Sequence, residues 1–199
     1  MSRHLVLSFR FLSPWFHGRG DGGSPEWPPS PLRAFQAVVA AAARAGTLAA
    51  TRSALRGLEA LPAPLIVAPD AIESAIGYRL SVPHNAMDLV GKQWSRGDEG
   101  NLGEHRAMKS VRPHRLPDDA AVHYAWPIGE DIALASTLIG ATRGVVALGW
   151  GTDLVVSDGA GVDGARLAEL SARQRVWEPR RDGRRELRVP VDGTLDDLD

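Results

Sequence analysis

Three prolines within residues 28–31 (Pro28, Pro29 and Pro31) constrain the fold of this chain more than any other feature. Proline fixes its own φ, has no N–H to donate and pushes the residue before it out of the helical region. Neither a helix nor a central strand can run through this block. Proline is favoured, however, at the first position of a helix. The block therefore separates an N-terminal segment from a helix that begins at Pro31, with Ser30 placed to cap it. Leu32, Phe35, Val39 and Ala42 then share one stripe of that helix, and Gly46 can end it.

The remaining periodic segments arrange themselves around that break. His4 to Phe11 mixes apolar, aromatic and β-branched residues and reads as a buried strand. Thr47 can cap a second helix carrying Leu48, Leu55, Leu58 and Leu61, stopped by Pro62 and Pro64. Strands are predicted at 65–67, 78–82, 122–126, 145–148 and 154–156. A third helix starts near Glu130 and Asp131, buries Ile132, Ala135, Leu138 and Ile139, and ends by Arg143 and Gly144. The order is strand, helix pair, two strands, long insertion, strand, helix, strand. It predicts an α+β fold on the ferredoxin-like (RRM-like) plan, with helices on one face of a mainly antiparallel sheet. The expected division is a domain over 1–157, with an insertion at about 83–117, and a linker or the start of a further module over 158–199. Thr194-Leu195-Asp196-Asp197-Leu198 has the pattern of a helix start, so a longer protein is expected.

Composition excludes several functions. The 199 residues include no cysteine, so disulfides, thiolate metal sites and cysteine catalysis are out. This suits a reducing cytoplasm. No segment reads as a signal peptide or a bilayer span. With 23 basic and 24 acidic residues the net charge is −1, so any nucleic-acid site must be a local patch.

The insertion is such a patch. Between residues 92 and 115, Lys92, Arg96, Arg106, Lys109, Arg112 and Arg115 stand against Asp98, Glu99 and Glu104, with Trp94, His105 and His114 interleaved. Cations neutralise phosphates, and aromatic faces stack on unpaired bases. The same composition also suits a solvated loop. At the first helix, free N–H groups and Arg33 suit a phosphate, whereas Trp27, Pro28, Pro29 and Ser30 suit a structural or contact role. Gly149-Trp150-Gly151 reads as a bend between strands. No histidine pair has metal-ligand spacing and no Ser/His/Asp pattern is present, so no metal or cofactor is expected. His17 and His114 lie in the most RNA-like segments and are the candidates for acid–base chemistry. The late run Arg180, Arg181, Arg184, Arg185 and Arg188 is diluted by Glu178, Asp182 and Glu186 and reads as a solvated linker or hairpin.

Several of these segments together resemble one family. Arg10-Phe11, Phe16-His17-Gly18-Arg19-Gly20 and the run from Glu26 through Trp27-Pro28-Pro29-Ser30-Pro31-Leu32-Arg33 to Ala40 are similar to the N-terminus of the type I-G (formerly I-U) CRISPR fusion of a Cas-five-like and a Cas-six-like module. Leu58 to Pro62, Val82 to Asn85, Met108 to Pro113, Leu148 to Thr152, Trp177 to Pro179 and Leu187 to Pro190 continue the likeness. The resemblance implies CRISPR antiviral defence. A Cas-five-like part grips the 5′ handle of the guide RNA within a Cascade-type complex and abuts the backbone subunits. It contacts DNA only through the assembled complex and needs no membrane. Arg19, Arg33 and the basic residues and Trp94 of the insertion, where the resemblance places an inserted thumb, are the expected RNA contacts. The metal-independent endoribonuclease activity of such fusions would belong to the downstream Cas-six-like module. Three functions stay open at this stage: an RNA-holding subunit, an RNA-processing enzyme and a protein-only adaptor.

Overall fold

The computed structural model describes residues 3–83, 106–129, 131–183 and 185–198. Nine-residue β1 (Arg3–Phe11) forms the spine of the domain. It pairs antiparallel with β8 (Ala121–Pro127) on one side and β9 (Val155–Asp163) on the other. β3 (Leu65–Ala68) pairs with β8, and β10 (Arg175–Trp177) pairs with β3. The resulting five-stranded sheet has the order β10-β3-β8-β1-β9 and is antiparallel throughout. The molecule is an α+β protein with antiparallel sheets and four α-helices among the described residues.

Strand alternation decides which face is core. Leu5, Leu7, Phe9 and Phe11 point to one face, in register with Trp126, Tyr124 and Val122 of β8 and, further out, Ile66 of β3. Helix α1 (Pro31–Arg44) lays Ala34, Phe35, Val38, Ala41 and Ala42 against that face. Helix α2 (Leu48–Glu59) adds Leu55 and Leu58, and α3 (Ile132–Thr142) adds Ala135 and Leu138. The proline block is part of this core, because residues 26–31 are all buried and the Tyr124 hydroxyl donates to the Pro29 carbonyl at 2.8 Å. Burial pushes the Tyr124 phenol well above its ordinary pKa, so it stays a donor.

Helix α4 (Gly164–Ser171) departs from the expected one-sided arrangement. It borders a cleft with His123, which alternates with core-facing Val122 and Tyr124 and therefore lies on the other face. That face carries apolar residues too: Val6, Val67 and Ala125 are buried.

Other expectations change in detail. Neither Ser30 nor Thr47 caps its helix with its side chain; the Thr47 hydroxyl instead donates to the Ala42 carbonyl. Asp131 does cap α3, accepting from the Leu134 N–H at 3.0 Å. Residues 145–148 are not a strand. The Val145 N–H closes the end of α3 on Thr142, and the Leu148 N–H closes a turn on the Asp153 carbonyl. That leaves a single bridge, Ala147 to Leu154. Strand β9 runs unbroken past residues 157 and 158 to Asp163. Near the C-terminus Leu195 is fully buried and its N–H donates to buried Glu59. The Thr194 hydroxyl accepts from the Val191 N–H, and Asp196–Leu198 form a 3-10 turn.

Candidate nucleic-acid interface

A two-stranded ribbon leaves the domain between β3 and β8. β4 (Ile72–Glu73) pairs with β7 (His114–Arg115), and β5 (Tyr78–Pro83) pairs with β6 (Arg106–Val111). Residues 106–111 and 114–115, expected in an irregular insertion, are therefore strands. Glu73 faces His114 and Tyr78 faces Val111, so four residues on one strand oppose two on the other. The Ser74 N–H bridges this bulge to the Pro113 carbonyl, and Arg112 donates to the Ala75 carbonyl. A two-stranded ribbon is marginal alone and needs an anchor. β2 (Trp15–Phe16) supplies one by pairing with β7 to complete a three-stranded sheet, β2-β7-β4. On its inner face Phe16 is fully buried, within 5.5 Å of both the Phe11 and Trp27 rings, and His114 is buried against Trp27.

Arg106 and Lys109 are exposed on β6, on opposite faces of the ribbon because their positions differ by an odd number. Arg79 shares the Arg106 face. Arg115 is exposed at the root, and Arg112 beside it pairs with Glu73 at 3.6 Å. Lys92, Trp94 and Arg96 lie outside the described residues.

Arg19 and Arg33 play a different part. Arg33 donates to both Glu26 carboxylate oxygens, at 3.2 and 3.1 Å, and to the Arg19 carbonyl. Arg19 in turn donates to the Ser110 carbonyl on the ribbon. Glu26 also accepts from the Ser30 N–H at 2.6 Å. The first-turn donors of α1 are occupied: Leu32 N–H bonds the Arg188 carbonyl, and those of Arg33 and Ala34 bond the Ser30 carbonyl. Proline at residue 31 has none. The phosphate site expected at this helix end is thus filled from within the fold. A cleft of about 680 Å³ beside it holds Arg19, Arg33, Arg185 and Arg188, yet Arg33 is paired with Glu26 and Arg188 with Asp21. Trp27 is buried, its indole N–H donating to the Pro69 carbonyl at 2.9 Å, and the Trp27–Pro28 peptide is cis.

His17 joins three segments distant in sequence. Its Nδ1 lies 2.5 Å from Oδ1 of fully buried Asp153, and its Nε2 meets the Tyr78 hydroxyl at the base of β5. The carboxylate also accepts from the His17 and Trp150 backbone N–H groups. The carboxylate beside Nδ1 draws a ring proton to that nitrogen, and Nε2 is left facing the Tyr78 hydroxyl. Burial and then the Asp153 charge raise the Tyr78 pKa, so the hydroxyl remains protonated. Trp150 stacks on the imidazole with centroids 6.1 Å apart. Gly149 sits at φ +116°, where a Cβ would meet the Asp153 carboxylate at 2.8 Å and the Phe16 ring at 3.0 Å. Gly151, by contrast, has open space around it.

His114 is not brought to this cluster. Burial lowers its pKa, partly opposed by Glu73 and reinforced by Arg185, and its Nδ1 has no hydrogen-bond partner. Among the described residues no three His, Asp or Glu side chains converge as metal ligands. No helix among them is long and apolar enough to cross a membrane. Glu26, Tyr78 and Asp153 were not singled out from the sequence. Glu26 alone had a local signal, lying seven residues before Arg33 across the proline block.

Comparison with known proteins sets this geometry in context. A search of curated proteins found no match. Among solved structures, a crystal structure of a CRISPR protein from Archaeoglobus fulgidus aligns over 81% of this chain, with 15% identity and a TM-score of 0.40. The chain spans 64% of that protein's length. The model for CRISPR-associated proteins of the GSU0054 family matches residues 6–199. This chain therefore belongs to the GSU0054 family of CRISPR-associated proteins.

Proposed function

We propose that the chain is the guide-RNA-holding, Cas-five-like part of a type I-G fusion, working in the cytoplasm within a Cascade-type complex beside its backbone subunits. The observation that carries this reading is the exposed basic ribbon, rooted by three strands and bearing Arg79, Arg106, Lys109, Arg112 and Arg115. Membership of a CRISPR-associated family supports it. We further assign the main sheet to the ferredoxin-like plan, supported by the inner order β3-β8-β1-β9 and the helical crossovers between β1 and β3 and between β8 and β9. The ribbon then enters where a thumb is inserted between the second and third core strands. In the fusion, processing of precursor guide RNA falls to the Cas-six-like module.

The test is RNA binding over a salt series. Replacing Lys109, Arg112 and Arg115 together should weaken binding of the 5′ handle and reduce the slope of log K against log salt by about two. Unchanged affinity and slope would remove the ribbon from the RNA surface.

A second reading, endoribonuclease activity in this part of the chain, is favoured by one observation: the Asp153–His17–Tyr78 hydrogen-bond chain, with the Tyr78 ring exposed at one end. Labelled repeat RNA incubated with EDTA discriminates. Cleavage at one phosphodiester, lost in Tyr78→Phe, would establish it. With no cleavage, the chain is a structural tie between β2, the ribbon and the 149–153 turn.

A further inference from the structure

The outer face of the three-stranded sheet carries an unusual row. Trp15, Arg115 and Ile72 are direct cross-strand neighbours on β2, β7 and β4. Their alternates, Phe16, His114 and Glu73, form the inner row. Cross-strand neighbours stand about 5 Å apart, so the three outer side chains form one contiguous strip. The strip is open: Trp15 is 39% exposed and Ile72 71%. The core does not need these side chains, because Phe16 and His114 fill the inner side.

We propose that this row is a stacking site for an unpaired base of the bound RNA, with Trp15 as the platform and Arg115 holding the adjacent phosphate. The proposal rests on the RNA-holding reading and extends it to a residue outside the basic ribbon. Charge and shape select the occupant. An indole offers a flat π surface that any base can cover, and a guanidinium beside it favours an anionic chain. Arg115 has no ion-pair partner among the described residues, whereas Arg112 two strand ends away is paired with Glu73. The row also lies at the root of the ribbon, whose two faces carry Arg79 with Arg106 and Lys109, so RNA held at the base of the ribbon lies beside it. A protein partner would be expected to meet a broader apolar face than one indole and one isoleucine flanking a charge.

The experiment uses the full chain with two probes, a 12-nucleotide oligouridylate and a fully paired RNA duplex. Trp15→Leu keeps an apolar side chain but removes the π face. It should weaken single-strand binding about tenfold or more while leaving the salt slope unchanged. Trp15→Phe should recover most of that loss, and duplex binding should not distinguish the three proteins. Arg115→Gln should instead lower the salt slope by roughly 0.7. Quenching of tryptophan fluorescence on oligouridylate binding should shrink in both Trp15 variants. If the parent binds oligouridylate and Trp15→Leu binds it equally well with equal quenching, the stacking site is wrong and the RNA-holding reading stands. If the parent binds neither probe nor the handle, both fall. Should Trp15→Leu fail to fold, the same comparison between the parent and Trp15→Phe, together with the Arg115→Gln slope, decides the matter.

Discussion

Two arginine–glutamate pairs show how differently the two halves of this molecule use charge. Arg33–Glu26 sits beneath the proline block at 3.1 Å, with side chains only 22% and 8% exposed, and the carboxylate also holds the Ser30 N–H. Arg112–Glu73 sits at the ribbon root at 3.6 Å, with side chains 54% and 48% exposed. The first pair is part of the scaffold. The second leaves its cation largely in water, where a phosphate can compete for it. A basic residue in a family motif is thus not an RNA contact by virtue of its charge; what matters is whether the fold has already consumed that charge.

The largest expected effect is at the centre of the buried half. Trp27 packs on Phe11, Phe16 and His114 and donates to the Pro69 carbonyl, so Trp27→Ala should cost about 4 kcal/mol. Thermal or urea unfolding measures it. A loss under about 1 kcal/mol would mean that the proline block is peripheral to stability. Glu26→Ala follows, at about 3 kcal/mol, because it strands a largely buried guanidinium and frees the Ser30 N–H. Glu26→Ala and Arg33→Ala in one chain should cost less than the sum of the two, and strict additivity would show the pair to be uncoupled.

The elements of the core were legible because their periods are strong. The apolar run from His4 to Phe11 and the helical stripe of Leu32, Phe35, Val39 and Ala42 mark a strand and a helix from their residues alone, and Phe35, Val39 and Ala42 are buried. The Val145–Leu148 run misled because its apolar side chains are needed in a turn, where Val145 and Leu148 serve inside the fold while their N–H groups close loops. The cluster at His17 was illegible for another reason. Asp153 lies 136 residues from His17 in sequence and Tyr78 lies 61 away, so nothing local couples them. The Arg33–Glu26 pair was not legible either, since the two residues stand on opposite sides of the proline block and no helical or strand spacing links them. Of the ribbon, 78–82 reads as a strand in the sequence, whereas 106–111 does not, because its side chains are mostly exposed and Arg106, Lys109 and Ser110 leave no apolar alternation.

A smaller effect should appear with pH, and it belongs to the sheet. Burial pushes the His123 pKa below its ordinary 6.5, and the imidazole Nδ1 bonds the Ser8 hydroxyl at 2.8 Å. The unfolded chain takes up a proton near pH 6.5 that the folded chain refuses. The contribution is therefore complete above that pH and is lost as pH falls below it. His114 shifts in the same direction. Unfolding free energy measured from pH 7.5 to 5 should decline at the acid end, and His123→Gln should flatten the decline. A profile unchanged by that substitution would place the acid sensitivity elsewhere.

The smallest stability effect should be at the ribbon, and its smallness is the point of the comparison. Arg112→Ala removes an exposed pair at 3.6 Å and one hydrogen bond to the Ala75 carbonyl. Exposed pairs contribute little, because both charges are well solvated alone and their long side chains lose freedom when held together. The expected loss is under about 0.5 kcal/mol, barely visible in thermal melting. The handle-binding salt slope should nevertheless fall by about 0.7, the contribution of one phosphate contact on a single strand. Arg33→Ala should do the reverse, lowering stability clearly while leaving the slope intact, since its guanidinium is turned inward to Glu26. If the two substitutions behaved alike in both measurements, exposure would not be what divides scaffold arginines from RNA-facing ones in this fold.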